Sequence, residues 1–150
     1  MITLITGDLF TTPDLDALAQ GVNCAGKMGK GIAVEFKKRW PGMFHAYAGL
    51  CAKGELFPGN IFSYRAGDGP WIYCLATQWK PGPCATLGAV WASTRALVRS
   101  AEQRGLRRVG MPRIGTWLGG LEWVEVLPLL TRAAEGSAVE LVVVTLPEAR

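Results

Sequence analysis

One histidine, His45, and four widely separated cysteines are all that this 150-residue sequence offers a soft metal. Cys24, Cys51, Cys74 and Cys84 form no CxxC pair, which argues against a zinc knuckle and leaves them as reduced thiols behaving as small hydrophobes. The expectation is therefore no metal and no cofactor. Acidic residues are scarce as well. Sixteen Lys and Arg against 12 Asp and Glu give a net charge of +4, a balance that permits a polyanionic partner without demanding one. With 49% apolar and only 19% charged residues, disorder is excluded by composition. No apolar stretch approaches the ~20 residues that a spanning helix needs. The opening MITLITGDLF has no basic n-region, no sustained apolar core and no small-residue cleavage site. A cytoplasmic monomer without membrane association is expected, folded as a single domain over 1–150.

What the chain does have is alternation of strand and helix patterns. ITLIT at 2–6 and ALAQGVN at 17–23 read as strands, the second ending on the polar Asn23. From Gly31, the apolar Ile32, Phe36 and Trp40 recur at helical spacing with charged residues opposite. Pro41 and Gly42 end that run. A second helix is predicted over 42–53, with Phe44, Tyr47, Ala48 and Cys51 on one stripe. NIFSY at 60–64 and WIYCLAT at 71–77 flank the turn AGDGP and predict a hairpin or neighbouring pair. The longest helical stripe covers 84–104, followed by a strand at 106–112 and a helix from near Leu121 to about 134. VELVVVTL at 139–146 predicts a strand buried on both faces. The fold class is α/β, with a mixed central sheet.

Two glycine-rich segments follow predicted strands, where α/β sheets bind ligands beyond the carboxyl ends of their strands. GKMGKGI, residues 26–32, carries Lys27 and Lys30 beside Gly26, Gly29 and Gly31; RIGTWLGGL, residues 113–121, carries Gly115, Gly119 and Gly120. Glycine lets the backbone approach a ligand, and free N–H groups at a helix start donate to anions. An anion would also resolve the oddity of two lysines at a helix N-terminus, where the dipole favours negative charge. Two such loops facing each other would hold two linked phosphates. GVNCAGKM at 21–28 fits GxxxxGK, but Met28 stands where a P-loop needs a hydroxyl for Mg²⁺. The spacing of GKMGKG does not match the dinucleotide fingerprint GxGxxG.

Taken together, GDLF at 7–10, VNCAGKMGKGIAVEFKKRWP at 22–41, CLATQ at 74–78, MPRIG at 111–115 and LGGLEW at 118–123 resemble the macrodomain family of ADP-ribose-binding modules. The resemblance runs from Met1 to Leu146 and points to the subgroup with the terminal ADP-ribose glycohydrolases and DNA ADP-ribosyl glycohydrolase antitoxins. It implies a three-layer α/β/α fold and, as partner, ADP-ribose or an ADP-ribosylated protein or nucleic acid. It implies that Asp8, beside Leu9, accepts the adenine amino group and that Asn23 lies by the distal ribose. Residues 28–33, with Met28, Gly29, Lys30, Gly31 and Ile32, would form the first phosphate loop, and Lys27 before it would also bind the ligand. Ile114, Gly115, Thr116 and Trp117 would open the second, and Leu118, Gly119, Gly120 and Leu121 would complete it. Thr77 and Gln78 would line the cleft between them.

The chain departs from that family at the places where chemistry is done. The lysine-dependent glycohydrolases of the subgroup carry a nucleophilic Lys directly after the strand-end Thr. Here Gln78 follows Thr77, and Lys80 lies two positions on. The catalytic Asp of the second loop is replaced by Gly119, with Glu122 three residues beyond, and Trp117 stands for a small residue. Asn23 and Lys80 are the catalytic candidates. Two readings stay open: hydrolysis of an ADP-ribose derivative (ADP-ribosyl-nucleic acid or protein, O-acetyl-ADP-ribose, or ADP-ribose 1″-phosphate), or recognition of ADP-ribose without turnover.

Overall fold

A computed structural model describes residues 1–147; the last three residues of the domain assigned above lie outside the described part. The strands are β1 (Ile2–Thr6), β2 (Ala17–Asn23), β3 (Ile61–Arg65), β4 (Trp71–Gln78), β5 (Arg108–Met111) and β6 (Glu140–Thr145). The helices are α1 (Ile32–Arg39), α2 (Pro41–Ala52), α3 (Leu87–Gln103) and α4 (Trp123–Ala134). Short 3-10 turns at Leu9–Thr11 and Trp117–Gly119 carry no periodic signal in the sequence. Among the described residues, no helix is long and apolar enough to cross a membrane.

The six strands form one sheet in the order β1-β6-β5-β2-β4-β3, parallel except for β3, which pairs antiparallel with β4 through Ile61 opposite Leu75 and Arg65 opposite Trp71. Side chains alternate between two cores because successive strand residues face opposite ways. In β6, Leu141 and Val143 join Val90, Leu97, Val126 and Leu130 of α3 and α4, while Val142 and Val144 join Phe36, Met43 and Tyr47 of α1 and α2. Four consecutive buried residues therefore form one strand between two helical layers, which makes the three-layer sandwich.

Helix boundaries follow local chemistry. Pro41 ends α1 and also occupies the first turn of α2, where its missing N–H would have no partner in any case. Thr86 caps α3 by accepting from the Ala89 N–H at 3.1 Å, so that helix starts three residues later than its apolar stripe suggests. The helix after the second glycine loop starts at Trp123 rather than near Leu121, since Leu121 bridges back to Thr116 and the extended Glu122 is the N-cap. Strand starts are pinned across the sheet. Glu140 accepts from Thr3 Oγ1 at 2.6 Å and from Arg108 Nε at 3.1 Å, tying β1, β6 and β5.

This topology opens a crevice. β2 and β5 are parallel neighbours, with Ala17 opposite Val109. The chain leaving β2 turns to α1 in one core and the chain leaving β5 turns to α4 in the other. Their loops part at the carboxyl edge, where the strand order reverses.

Candidate functional site

Loop one, residues 24–31, leaves β2, and loop two, residues 112–122, leaves β5. They meet at one point. A Cβ placed on Gly31 would lie 2.9 Å from Leu118 Cδ1 and 3.8 Å from the Trp117 ring carbon Cζ3, and the exposed leucine end would have to shift to admit it. Gly31 has φ 63° and ψ −147°, a region essentially restricted to glycine.

Gly31 caps α1 without a side-chain hydrogen bond, and Thr116 does the same for the turn at Trp117–Gly119. The first N–H groups of a helix have no acceptor within it, so both loops present unclaimed donors at their meeting point. The Thr86 cap of α3 shows the usual alternative. Donors of this kind, with the positive end of a helix behind them, hold diphosphates without a metal. Among the described residues, no three His, Cys, Asp or Glu side chains come together as metal ligands.

The remaining named side chains divide into those that build the loops and those that face out. Asn23 is engaged within loop one: Oδ1 accepts from the N–H of Ala25 at 3.0 Å and of Lys27 at 3.3 Å, and Nδ2 donates to the Lys27 carbonyl at 2.9 Å. The Tyr47 hydroxyl, from α2, donates to the Asn23 carbonyl at 2.7 Å and lies 2.9 Å from its Oδ1. A register shift between Val22 and Asn23 skips Thr77 and sets Asn23 opposite Gln78, the sort of bulge that re-aims side chains beside a site. Thr77 is buried and its hydroxyl reaches the Val22 carbonyl at 3.4 Å.

Gln78 bolts down the loop after β4. Its Nε2 donates to the Lys80 carbonyl at 2.8 Å and the Gly82 carbonyl at 2.6 Å, while the Cys84 thiol donates to the Lys80 carbonyl at 3.1 Å. Loop two rests on the same segment: the Ala85 N–H donates to Gly119, and a Cβ on Gly119 would lie 3.1 Å from Ala85 Cβ.

The Met28 and Ile114 side chains lie in the core and Gly119 is buried, so Met28 and Ile114 can offer a ligand only their backbone. Gly115 makes no room for a side chain, being 3.0 Å from Val90 Cγ2 at its Cβ position. Gly120, at φ 85°, abuts Pro83, and Leu121 returns its N–H to Gly115 at 3.0 Å. Lys27, Gly29, Lys30, Lys80, Trp117 and Leu118 face solvent. Ile32 is half-buried against the α1 core. Asp8 follows β1 on the same edge. It lies about 14 Å across the rim from Asn23 at ~4.8 Å per strand, with Oδ1 accepting from the Phe10 N–H at 2.9 Å and Leu9 buried behind it.

Burial sets the thiols aside as nucleophiles. Cys24 is pushed up to about 11 and Cys74 to about 12, chiefly by desolvation, so both stay protonated and unreactive near neutral pH. Three participants escape sequence reasoning. Tyr47 reads only as a member of an apolar stripe, Cys84 as a lone thiol, and Trp79 as the residue after a matched motif. Yet Trp79 is 64% exposed at the cleft mouth, and its carbonyl accepts from the Cys24 N–H at 3.1 Å.

A groove of about 530 Å³ opens elsewhere, where β2 and β4 begin, lined by Asp16, Arg65, Trp71 and Arg104 among others. Its arginines are committed to the fold: Arg104 donates to Tyr73 and Ser63, and Arg65 to the Gly69 carbonyl.

Comparison with known proteins agrees with the geometry. The DNA ADP-ribosyl glycohydrolase of Mycobacterium tuberculosis is 38% identical over 136 residues, covering 89% of this chain but 38% of that protein, so the chain spans well under half the length of that relative. Human ADP-ribose glycohydrolase OARD1 is 31% identical over 145 residues, covering 97% of this chain and 91% of that one. The solved macrodomain of Mycobacterium tuberculosis DarG superposes with a TM-score of 0.89 at 36% identity, with 97% of each chain covered. The Macro domain model matches residues 19–130, a span that contains α1, the whole of both glycine loops, β5 and all but the first two residues of β2, and the chain belongs to the Macro domain family.

Proposed function

We propose that the chain binds ADP-ribose with the diphosphate across the two loops and hydrolyses an ADP-ribose derivative, namely ADP-ribosylated DNA, as a cytoplasmic monomer. The observation that carries this reading is the contact between Gly31 and Leu118, which sets the unclaimed N–H groups at the starts of α1 and of the Trp117 turn beside each other. The names of the Mycobacterium and human relatives support the reaction class.

The chemistry rests on positioning and fixed dipoles. Asp8 sits at the adenine end, with one carboxylate oxygen already holding Phe10. Loop amides hold the diphosphate against the distal ribose. As the bond from the distal anomeric carbon to the DNA base breaks, the fixed negative charge of the diphosphate faces the oxocarbenium-like sugar, and a water adds at that carbon while its proton passes to the departing base. Asn23 acts through loop one, because both ends of its amide are committed there. Lys80, the exposed basic side chain two positions after Gln78, is the second catalytic candidate.

One observation favours the alternative, a reader that binds without turnover: Gln78 occupies the strand-end position with its amide tied to two carbonyls, so no nucleophile stands there. The deciding experiment incubates wild type, Asn23→Ala and Lys80→Ala with ADP-ribosylated DNA, ADP-ribosylated protein and ADP-ribose 1″-phosphate. Release of ADP-ribose from DNA is the expected result. Micromolar binding of ADP-ribose with no turnover of any substrate establishes the reader, and absence of ADP-ribose binding overturns both readings.

A further inference from the structure

Behind loop one, α1 and α2 meet at an apolar corner that no other described element covers. Val34 of α1 and Pro41 and Phe44 of α2 floor a groove of about 500 Å³, closed on one side by Met28 and Gly29. The sequence spacing builds it. From Val34 to Lys37 and Lys38, on to Pro41, and then to Phe44 and His45, each step is three or four residues, the interval that keeps helical side chains on one face. Val34 is 41% exposed there.

The charge around this floor has one sign. Lys37, Lys38 and His45 line the groove, and neither lysine is in a salt bridge among the described residues. Loop one and α2 contain no acidic residue, and Glu35, the one carboxylate of α1, is turned to Arg39 at 2.7 Å. Over residues 24–52 five Lys and Arg therefore stand against a single Glu, an excess equal to the net +4 of the entire chain. An acidic partner is the complement of such a surface.

The floor decides what kind of acid. Single-stranded nucleic acid needs open aromatic faces for its bases, but the ring in this groove, Phe44, carries the Lys37 ammonium 4.1 Å from its centroid and the His45 ring edge-on at 5.7 Å. What stays open is aliphatic. A helix with apolar side chains at i, i+3, i+4 and i+7 and carboxylates beside them lays its apolar stripe into a groove of this kind and sets its acids on the rim.

We infer that the corner between α1 and α2 is the docking groove for an acidic amphipathic helix of a partner polypeptide, with Val34 as the apolar contact and Lys37, Lys38 and His45 as the charged rim. These four residues lie outside the set assigned to ADP-ribose, so docking here is independent of the proposed function.

The test uses the full chain and a fluorescein-labelled synthetic peptide of about 18 residues, five helical turns, with Leu at i, i+3, i+4 and i+7 and Glu elsewhere. Anisotropy follows binding, and amide NMR shifts locate it. Micromolar affinity is expected, with the shifts centred on residues 34–45 and with binding weakened as salt rises. Val34→Asp removes the apolar contact at an exposed position and is expected to weaken binding about tenfold. Lys37→Glu combined with Lys38→Glu should do the same, and unchanged melting temperatures show that both variants are folded. Polyglutamate, which has the charge without the apolar stripe, should bind far less. Absence of peptide binding, shifts that spare residues 34–45, equal binding of polyglutamate, or binding unmoved by Val34→Asp overturns the inference. So does a preference for oligothymidylate or for phosphatidylserine vesicles over the peptide, which would assign the face to nucleic acid or to a membrane.

Discussion

The Tyr47 hydroxyl lies within hydrogen-bonding distance of two oxygens of one residue, the carbonyl of Asn23 at 2.7 Å and its Oδ1 at 2.9 Å. A helix in one core thereby fixes the first turn of loop one. Tyr47→Phe keeps the ring and removes only the donor, so it should cost about 1 kcal/mol of stability, since the half-buried Asn23 carbonyl loses this donor while Oδ1 keeps the N–H groups of Ala25 and Lys27. It should also weaken ADP-ribose binding more than a core change of equal cost elsewhere, as urea denaturation and calorimetry can establish. Unchanged affinity would show that loop one does not depend on this anchor.

Gly31→Ala addresses the meeting of the loops. The backbone conformation there disfavours a Cβ, which would also displace the end of Leu118, and the strain is of order 1–3 kcal/mol. A fall in melting temperature together with at least a tenfold loss of ADP-ribose affinity is expected. Gly29→Ala, whose Cβ would meet no atom within 4 Å, should leave the melting temperature unchanged.

Replacing Gln78 by Glu changes the charge while keeping the shape. The new carboxylate would face the carbonyls of Lys80 and Gly82 with no hydrogen to donate. The segment from Trp79 to Cys84 should then open, with faster amide exchange and cleavage confined to it. Exchange matching wild type would mean that these carbonyls are satisfied without the glutamine.

Gln20 is fully buried in β2, where its Nε2 lies 3.7 Å from Met28 Sδ and 3.9 Å from Cys74 Sγ, and its Oε1 has no partner. An unpaired buried carbonyl costs about 1–3 kcal/mol. Gln20→Met should therefore be neutral or more stable by about 1 kcal/mol. A large loss on chemical denaturation would mean that the amide has a role the packing does not reveal.

Stability should fall on both sides of neutrality, by different groups. Cys24, Cys74, Cys51 and Tyr47 all have raised pKa values, burial being the largest cause in each case. Groups of this kind contribute fully below their unfolded pKa and lose the contribution as pH rises toward the folded value. The melting temperature should therefore decline above about pH 9, and less steeply in Cys74→Ala. Glu140 is lowered, first by the Thr3 hydrogen bond and then by Arg108. Its contribution is present above the ordinary carboxylate range and is lost below about pH 4.5. Thr3→Val should blunt that acid limb.

Much of the architecture was legible in one dimension. The apolar run at 139–146 becomes the strand buried on both faces, and the stripe from Leu87 to Ala101 becomes α3, because the periods of strand and helix are written in consecutive residues. Boundaries shift by one to three residues where caps and 3-10 turns intervene, chemistry that depends on backbone geometry rather than on period.

The two glycine loops, and the Gly31 at their contact, were set by residue type, since conformations closed to other side chains leave a mark in any sequence. That those loops face each other was decided in three dimensions, by β2 lying beside β5 and by α1 and α4 leaving to opposite cores. The same holds for Asn23 being held by Tyr47, for Gln78 serving as a bolt, and for Trp79 standing bare at the mouth. Each of these depends on partners brought together, or left out, by packing across the sheet, and local sequence carries no record of such distances.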